Sequence, residues 1–542
     1  MTGDGRRAGS RLTEIEPYGV DTIPPEERFA RPRDMFRIAF GASNSIATMV
    51  LGSLPIVFGL SFGEGLLAVV AGVLAGGLLL SPMALFGPIN GTNNAVSSGA
   101  HFGVVGRILG SFLSLLTAIT FSALAVWASG DAIVAAANRL FGTPQSDLLA
   151  GIAYGGFAIA VLTVVVYGFR FMLLVNRVAV VGVTLLMVLG VIAFAGDFDA
   201  GYPGIFTPEA DQATRDLFWP TLVGAALISM SNPVSYGAFL GDWSRYIRAE
   251  TPRHRLMLAA FASQVATLAP FVFGLATTAI VAAKAPEFVD PAGPSFVGGL
   301  VAIAPTWYLA PLIGISLIGG MSVATATLYG TGLDFSSVFP VLSRVQATLM
   351  IGGFAVALLF VGRFVLDLLS SITTFATLIV VCTTPWMVMM LIGYFVRRGW
   401  YLPEHLQVFN KGQRGGIYWF HRGVNWRALG AWIPSAVISL LMVNIPGQFV
   451  GPWSGWFDGV DASLPAALVL SFVLYSALLF LFPEPRHVFG PEGARIVPTA
   501  DRPAAPITGE PPDSLLARLG VGATATTAEP ETIPAPPDST TA

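Results

Sequence analysis

The sequence is poor in the groups that soluble proteins display and that enzymes use. Only 11% of its 542 residues are charged, against about 25% in an ordinary soluble domain, so a single water-facing fold is excluded. The net charge of -3 offers no electrostatic footprint for a nucleic acid. One cysteine, Cys382, leaves no partner for an intrachain disulfide and sits in an apolar run as an inert thiol. No G-x-x-x-x-G-K-[ST] loop occurs, so the chain is not its own ATPase. A membrane enzyme would need His, Asp or Cys clustered at membrane depth, and no such cluster is seen. Acids and histidines avoid the span centres: Glu64, His101, Asp242, Asp334 and Asp367 fall near span ends, where they read as interfacial or capping residues.

What the chain has in quantity is apolar surface. Hydrophobic residues make up 54% of it, and the mean hydropathy is +0.70. Apolar runs fall at residues 36 to 60, 65 to 86, 104 to 128, 148 to 168, 171 to 196 and 218 to 240, then at 256 to 283, 307 to 330, 345 to 362, 365 to 396, 428 to 446 and 463 to 483. Each approaches the ~20 residues that a helix needs to cross the hydrocarbon core. The expectation is an all-α integral membrane protein of twelve transmembrane helices.

Charge orients them. With the N-terminus inside, the odd-to-even connections carry acids such as Asp131, Asp197, Asp211 and Asp458, while the even-to-odd ones carry Arg107, Arg170, Arg245, Arg248, Arg253, Arg344, Arg397 and Lys411. That bias follows the positive-inside rule, and it predicts cytoplasmic termini in a cell membrane. Residues 1–35 lack the apolar core of a cleavable signal and read as a cytoplasmic arm. Residues 36–196 and 197–396 read as two five-helix halves, and 397–483 as a cytoplasmic loop with helices 11 and 12. Residues 484–542, rich in Pro, Ala, Thr and Glu, read as a tail without fixed structure; "SLLARLGV" from Ser514 could form a transient helical turn.

Span 6 reads SMSNPVSYGAFLGDWSRY from Ser229, too polar for a span that only faces lipid. Pro233 lacks an N–H and crowds the carbonyl one turn back, which predicts a kink or unwinding around Ser229 to Asn232. Freed backbone groups are tolerated at membrane depth where they line a cavity, and Ser231, Asn232, Ser235 and Tyr236 would add polar groups there. Span 1 echoes it. Ser43-Asn44 precedes Leu51-Gly52 as Ser231-Asn232 precedes Leu240-Gly241, and interrupted segments at matching places in two halves point to a transporter's binding site. A kink whose serines bond their own helix is the competing reading. Asp242 and Arg245, three residues apart, read as an inner gate or its hinge.

The motifs "ASN" with "LGSLPIVFGLSF", "HFGVVG", "GDWSRYI", "LYGTGLDF" and "GVNWRALGAW" resemble the purine-cytosine permease family, the nucleobase:cation symporters, over roughly residues 36 to 483. The resemblance implies the leucine-transporter-like fold, a 5+5 inverted repeat plus two C-terminal helices, with spans 1 and 6 broken. It places substrate between those breaks and spans 3 and 8, with Phe121 as the ring that stacks on a planar base and Thr117 and Thr120 as nearby polar groups. Ala118, Ala324 and Ala326 stand where edge-reading amides are expected. For a sodium ion the resemblance points to Ala42, Ser45, Gly319 and Ser322, with Val323 in place of a second hydroxyl. Coupling to Na+ or to H+ both stay open.

The resulting expectation is secondary active import of a nucleobase or related heterocycle by cation symport, with a small-molecule substrate and the bilayer as partners and neither a nucleic acid nor an ATPase. A permease for another heterocycle (allantoin, hydantoin, thiamine) and a transporter-like receptor or channel share this architecture.

Overall fold

In the computed structural model, residues 18–144, 146–290, 295–339, 344–365, 368–445 and 449–509 are described. Ten helices among them are long and apolar enough to cross a membrane: Phe62–Asn90, Ile108–Phe141, Asp147–Tyr167, Phe169–Phe194, Gln212–Ser244, Arg253–Lys284, Thr306–Phe335, Val345–Gly362, Thr377–Val396 and Ser463–Leu481. A bent pair, Pro32–Ser43 and Ile46–Val57, makes an eleventh crossing. These are spans 2 to 10, 12 and 1. The expected span 11 is the apolar helix Trp426–Leu441; its 16 residues reach only about 24 Å at 1.5 Å each. Twelve crossings are thus present only if this short helix is counted as one.

The packing is paired across the halves. Span 1 packs on span 7 as span 6 packs on span 2, and span 1 meets span 5 as span 6 meets span 10. Span 3 touches span 9 as span 8 touches span 4, while the 3–8 and 4–9 pairs are their own counterparts. Each of these contacts therefore recurs five spans later, and an odd shift reverses direction through the bilayer, which is an inverted repeat. Spans 11 and 12 pack on each other and against span 10.

Glycine sets how closely the halves approach. A Cβ on Gly52 of span 1 would lie 2.1 Å from the carbonyl oxygen of Phe271 in span 7, and one on Gly274 would lie 2.0 Å from that of Met49. Lipid tails are as apolar as leucine, so helices in a bilayer gain by bringing backbones together at small residues. Long apolar side chains such as Val178, Val181, Leu185 and Ile192 of span 5 are instead exposed, as a lipid-facing surface requires.

Two expectations fail. Span 6 is not unwound: Phe218–Ser244 is one α-helix with Pro233 inside it. The polar residues satisfy their own helix, with Ser229 Oγ donating to the Ala225 carbonyl at 2.9 Å, Ser231 to Ile228 at 2.6 Å and Ser235 to Asn232 at 2.6 Å. Gly76 of span 2 makes room for the proline ring, since a Cβ there would sit 2.4 Å from Pro233 Cγ. The chain also does not lose structure at residue 484. Glu484–Pro485 pairs in parallel with Thr499–Ala500, and Ala505–Thr508 pairs antiparallel with Arg414–Gly416 in the loop before span 11. Backbone pairing and a buried Glu484 hold residues 484–509 despite their composition. Arg344's side chain, Asp367, residues 1–17 and the stretch from Ser514 fall outside what is described.

Candidate functional site

Span 1 breaks without a proline. Its first half ends at Ser43, the chain takes extended angles at Ser45 (φ -154°, ψ 166°), and the second half starts at Ile46, bent by 58° from the first. Ser and Asn compete with the helical backbone for hydrogen bonds, and three in a row, Ser43-Asn44-Ser45, end the helix there. The Ser45 N–H turns to the Ser43 carbonyl at 3.0 Å. The break leaves carbonyls of one half-helix and N–H groups of the other without intrahelical partners, in the middle of the molecule.

Span 6 faces this break. Asn232 Nδ2 donates to Ser43 Oγ at 3.1 Å, and Ser43 Oγ and Tyr236 Oη share a hydrogen bond at 2.7 Å. Asn44 Nδ2 donates to Thr184 Oγ1 of span 5 at 3.0 Å. All these side chains except Thr184 are buried, and Asn44 Oδ1 and Ser45 Oγ have no hydrogen-bond partner among the described residues. Of the expected substrate residues, Asn44, Asn232 and Tyr236 therefore meet at the break; Ser231, Ser235 and Pro233 line the same helix, with the two hydroxyls spent on its backbone. Span 3 contributes differently: Thr117 and Thr120 bond back to the Leu113 and Leu116 carbonyls, and Phe121 packs half-buried on the core that also holds Tyr236.

The expected cation residues are close. Gly319 lies against the break, its hypothetical Cβ 2.8 Å from the Asn44 carbonyl oxygen and 3.0 Å from Ser45 Cα. Ala42 sits in the last turn of the first half-helix. Ser322 Oγ, one turn from Gly319, donates to Asn176 Oδ1 of span 5 at 2.7 Å. Asn176 and Thr184 escaped the sequence reading, although Asn176 is the one amide in the apolar run of span 5.

At the arginine-rich end, Asp242 and Arg245 are fully buried. The Asp242 carboxylate abuts Gly330 of span 8. Arg245 donates to Tyr329 Oη at 2.8 Å and to the carbonyl of Gly19. The N-terminal arm closes over them: Ala30 N bonds the Tyr246 carbonyl at 2.9 Å, and Arg28 Nη1 reaches Pro88 O at 2.7 Å. Below lies the segment "NGTNNAVSSGAHFG" from Asn90, of which the sequence reading used only the end, His101 to Gly103, and whose polar side chains are buried. Asn94 donates to the Gly237 carbonyl at 2.7 Å and Asn93 to Asp334 Oδ1 at 2.9 Å, so this segment ties span 6 to span 8. Burial lowers the pKa of the nearby Arg107 to about 10.

A second buried knot joins the ends of the last spans. Arg397 Nη2 and Glu484 Oε2 are 2.6 Å apart with neither side chain exposed, and Asn425 Nδ2 donates to Glu484 Oε1 at 2.6 Å. Burial depresses the Arg397 pKa, but the Glu484 carboxylate outweighs it and holds the value above the usual one. His101 Nδ1 lies 3.1 Å from Arg397 Nη1 and its Nε2 3.2 Å from Tyr401 Oη. A guanidinium only donates, so Nδ1 accepts and Nε2 carries the proton. Burial, and then the Arg397 charge, push the His101 pKa well below 6.5.

A family model described as permease for cytosine/purines, uracil, thiamine and allantoin matches residues 22–462. The putative purine-cytosine permease YxlA of Bacillus subtilis (strain 168) is 24% identical over 479 residues, which span 86% of this chain and 96% of that one. Among solved structures, the chain resembles Mhp1, a nucleobase-cation-symport-1 family transporter, closed with bromovinylhydantoin bound (TM-score 0.64, 18% identity, 88% of this chain and 98% of that one). It resembles the inward-facing Mhp1 similarly (TM-score 0.61, 19% identity, covering 88% and 96%). A substrate-bound, outward-open Na+-coupled sialic acid symporter matches at TM-score 0.50 with 15% identity, over 84% and 91% of the two chains. These likenesses carry the fold, a multi-pass transporter architecture built from two inverted five-helix halves.

Proposed function

The chain belongs to the family of permeases for cytosine/purines, uracil, thiamine and allantoin, and from that membership we propose that it imports a planar heterocycle by cation symport with alternating access. The observation that carries this reading is the buried polar break of span 1 against Asn232 and Tyr236 of span 6. Unpaired N–H groups at the start of Ile46–Val57 and the unpartnered Asn44 Oδ1 suit the mixed donors and acceptors of a heterocycle's edge. The Asn232 amide and Tyr236 hydroxyl offer the same chemistry from the facing helix. Because alanine replaces the edge-reading amides on spans 3 and 8, the edge is read chiefly by Asn44 and Asn232.

The coupling cation is held by the carbonyls around Ala42, by Ser45 and by Gly319 and Ser322, an oxygen set that suits a hard ion. The arginine-rich end faces the cytoplasm of a cell membrane, and Asp242, Arg245, Asn93, Asn94 and the N-terminal arm form the inner gate. The burial of Ser43, Asn44, Asn232 and Tyr236 supports reading this conformation as one with the site shut from both sides.

The test is uptake of labelled nucleobases and hydantoins into proteoliposomes under inward Na+ or H+ gradients. Accumulation above equilibrium that collapses with one gradient is expected; equilibration insensitive to both refutes symport. Asn232→Ala is expected to weaken the apparent affinity about tenfold, by loss of a hydrogen bond worth about 1 to 1.5 kcal/mol. An unchanged affinity across the panel removes Asn232 from the site.

A further inference from the structure

Of the serines and threonines from Ser316 to Thr331 of span 8, all but one behave alike. Ser316, Thr325, Thr327 and Thr331 each donate to a carbonyl of their own helix one turn back, at 2.7 to 2.9 Å. Ser322 Oγ instead reaches across to Asn176 Oδ1 of span 5 at 2.7 Å. The Asn176 amide is itself fixed, for its Nδ2 donates to the Met172 carbonyl at 2.9 Å and its oxygen therefore points away from span 5. Both side chains are fully buried. Gly41 of span 1 clears the space, since a Cβ there would fall 2.7 Å from Asn176 Oδ1.

The direction of this bond matters for Ser322. A hydroxyl has one proton and two lone pairs. Bonded back to its own helix, it would keep the proton along span 8. With the proton held by Asn176, Ser322 is drawn off its own backbone into the seam between spans 5 and 8 and the break in span 1, where Ser45 Oγ is buried without a partner and the Asn44 carbonyl abuts Gly319. The neighbouring Val323 supplies no oxygen of its own, so the seam depends on one hydroxyl from span 8.

We infer that Asn176 is a positioning residue for the coupling cation: it holds the Ser322 proton so that the hydroxyl oxygen is presented to the ion. The inference rests on the cation-symport reading above. It assigns to span 5 a part in ion binding that adds to those of spans 1 and 8.

The experiment follows the thermal unfolding midpoint of the purified full chain during Na+ titration at constant ionic strength, with choline as the balancing cation and a bound heterocycle from the uptake panel. Wild type is expected to be stabilised by Na+ with a definable half-saturating concentration. Asn176→Ala lets Ser322 fall back on its own helix, so half-saturation rises at least tenfold, while heterocycle binding at saturating Na+ persists. Asn176→Asp, which keeps the accepting oxygen, restores Na+ affinity to wild type or better. Ser322→Ala shows the same loss as Asn176→Ala, and the double variant loses no more than Ser322→Ala alone, because the two residues act through one oxygen. Half-saturation within twofold of wild type in Asn176→Ala, or losses that add in the double variant, overturns the inference; should Asn176→Ala not fold, Asn176→Asp weakening Na+ binding as much as Ser322→Ala does so. A wild type blind to Na+ refutes sodium coupling itself and separates that failure from one confined to Asn176.

Discussion

Removing Glu484 should cost the protein more than any loss from a surface tail. The carboxylate lies 2.6 Å from the Arg397 guanidinium, neither is exposed, and its second oxygen accepts from Asn425. At an effective dielectric near 20, charges at that distance attract by about 6 kcal/mol, and desolvation of both ions offsets much of it. What a single deletion exposes is the uncompensated charge left behind, which costs about 3 to 5 kcal/mol, with Asn425 losing its charged acceptor as well. Glu484→Ala is therefore expected to destabilise by about 4 kcal/mol, an apparent Tm drop of about 3 to 4 °C for a chain of 542 residues. Glu484→Gln, which still accepts hydrogen bonds, should lose less than half of that. Replacing both members with Met should recover most of the loss, since the pair's net contribution is small. The assay is thermal unfolding in nanodiscs at fixed pH and salt. A Glu484→Ala midpoint within about 1 °C of wild type would show that residues 484–509 do not anchor the ends of spans 10 and 12.

His101 gives a pH signature. Its folded pKa lies well below 6.5 because of burial and Arg397, so the unfolded chain takes up the proton first as pH falls. Stability is full above about pH 6.5 and declines through the range between that value and the depressed folded one, by up to about 1.4 kcal/mol per pH unit. His101→Gln should flatten the midpoint against pH over that range, and an unchanged slope would refute the assignment. Gly52→Ala puts a methyl 2.1 Å from the Phe271 carbonyl oxygen, backbone that cannot swing aside. It should destabilise by about 2 to 3 kcal/mol, whereas Gly155→Ala, with nothing within 4 Å, should be neutral or slightly stabilising; equal midpoints for the two would refute close packing of spans 1 and 7.

Period and charge carried much of the architecture, because twenty-residue apolar runs and one-sided arginines are properties of each segment alone. The helices therefore fall close to where the sequence puts them, and Asp242 and Arg245 lie buried at the arginine-rich end of span 6. What stayed hidden depends on contacts between segments. Nothing in "FMLLVNRVAVVG" says that Asn176 meets Ser322, a residue 146 positions on. The burial of the run from Asn90 to Gly103 is not legible in its own residues, because its partners are Gly237, Asp334 and Asn425, far along the chain. The tail's composition suggested disorder, yet one carboxylate matched to Arg397 and a strand laid on Arg414–Gly416 suffice to fix its first part.

The two candidate breaks show which local signal decides. Pro233 removes a single helical bond and its crowding is met by Gly76, so a long helix packed on both sides carries the roughly 3 kcal/mol that a proline costs. Ser43, Asn44 and Ser45 act otherwise. Their side chains offer the backbone other hydrogen bonds across several residues, and each of Ser43 and Asn44 finds a partner on another span, Asn232 with Tyr236 for the one and Thr184 for the other. The break persists because the fold rewards the broken form: straightening span 1 would bury polar groups without their partners, at about 1 to 3 kcal/mol each. The same bonds make it movable, since a heterocycle or a cation that replaces Asn232, Tyr236 or Thr184 as partner changes which spans the break holds together. On the proposed reading, the seam from span 1 to spans 5, 6 and 8 would be both the binding site and the element that binding rearranges in alternating access.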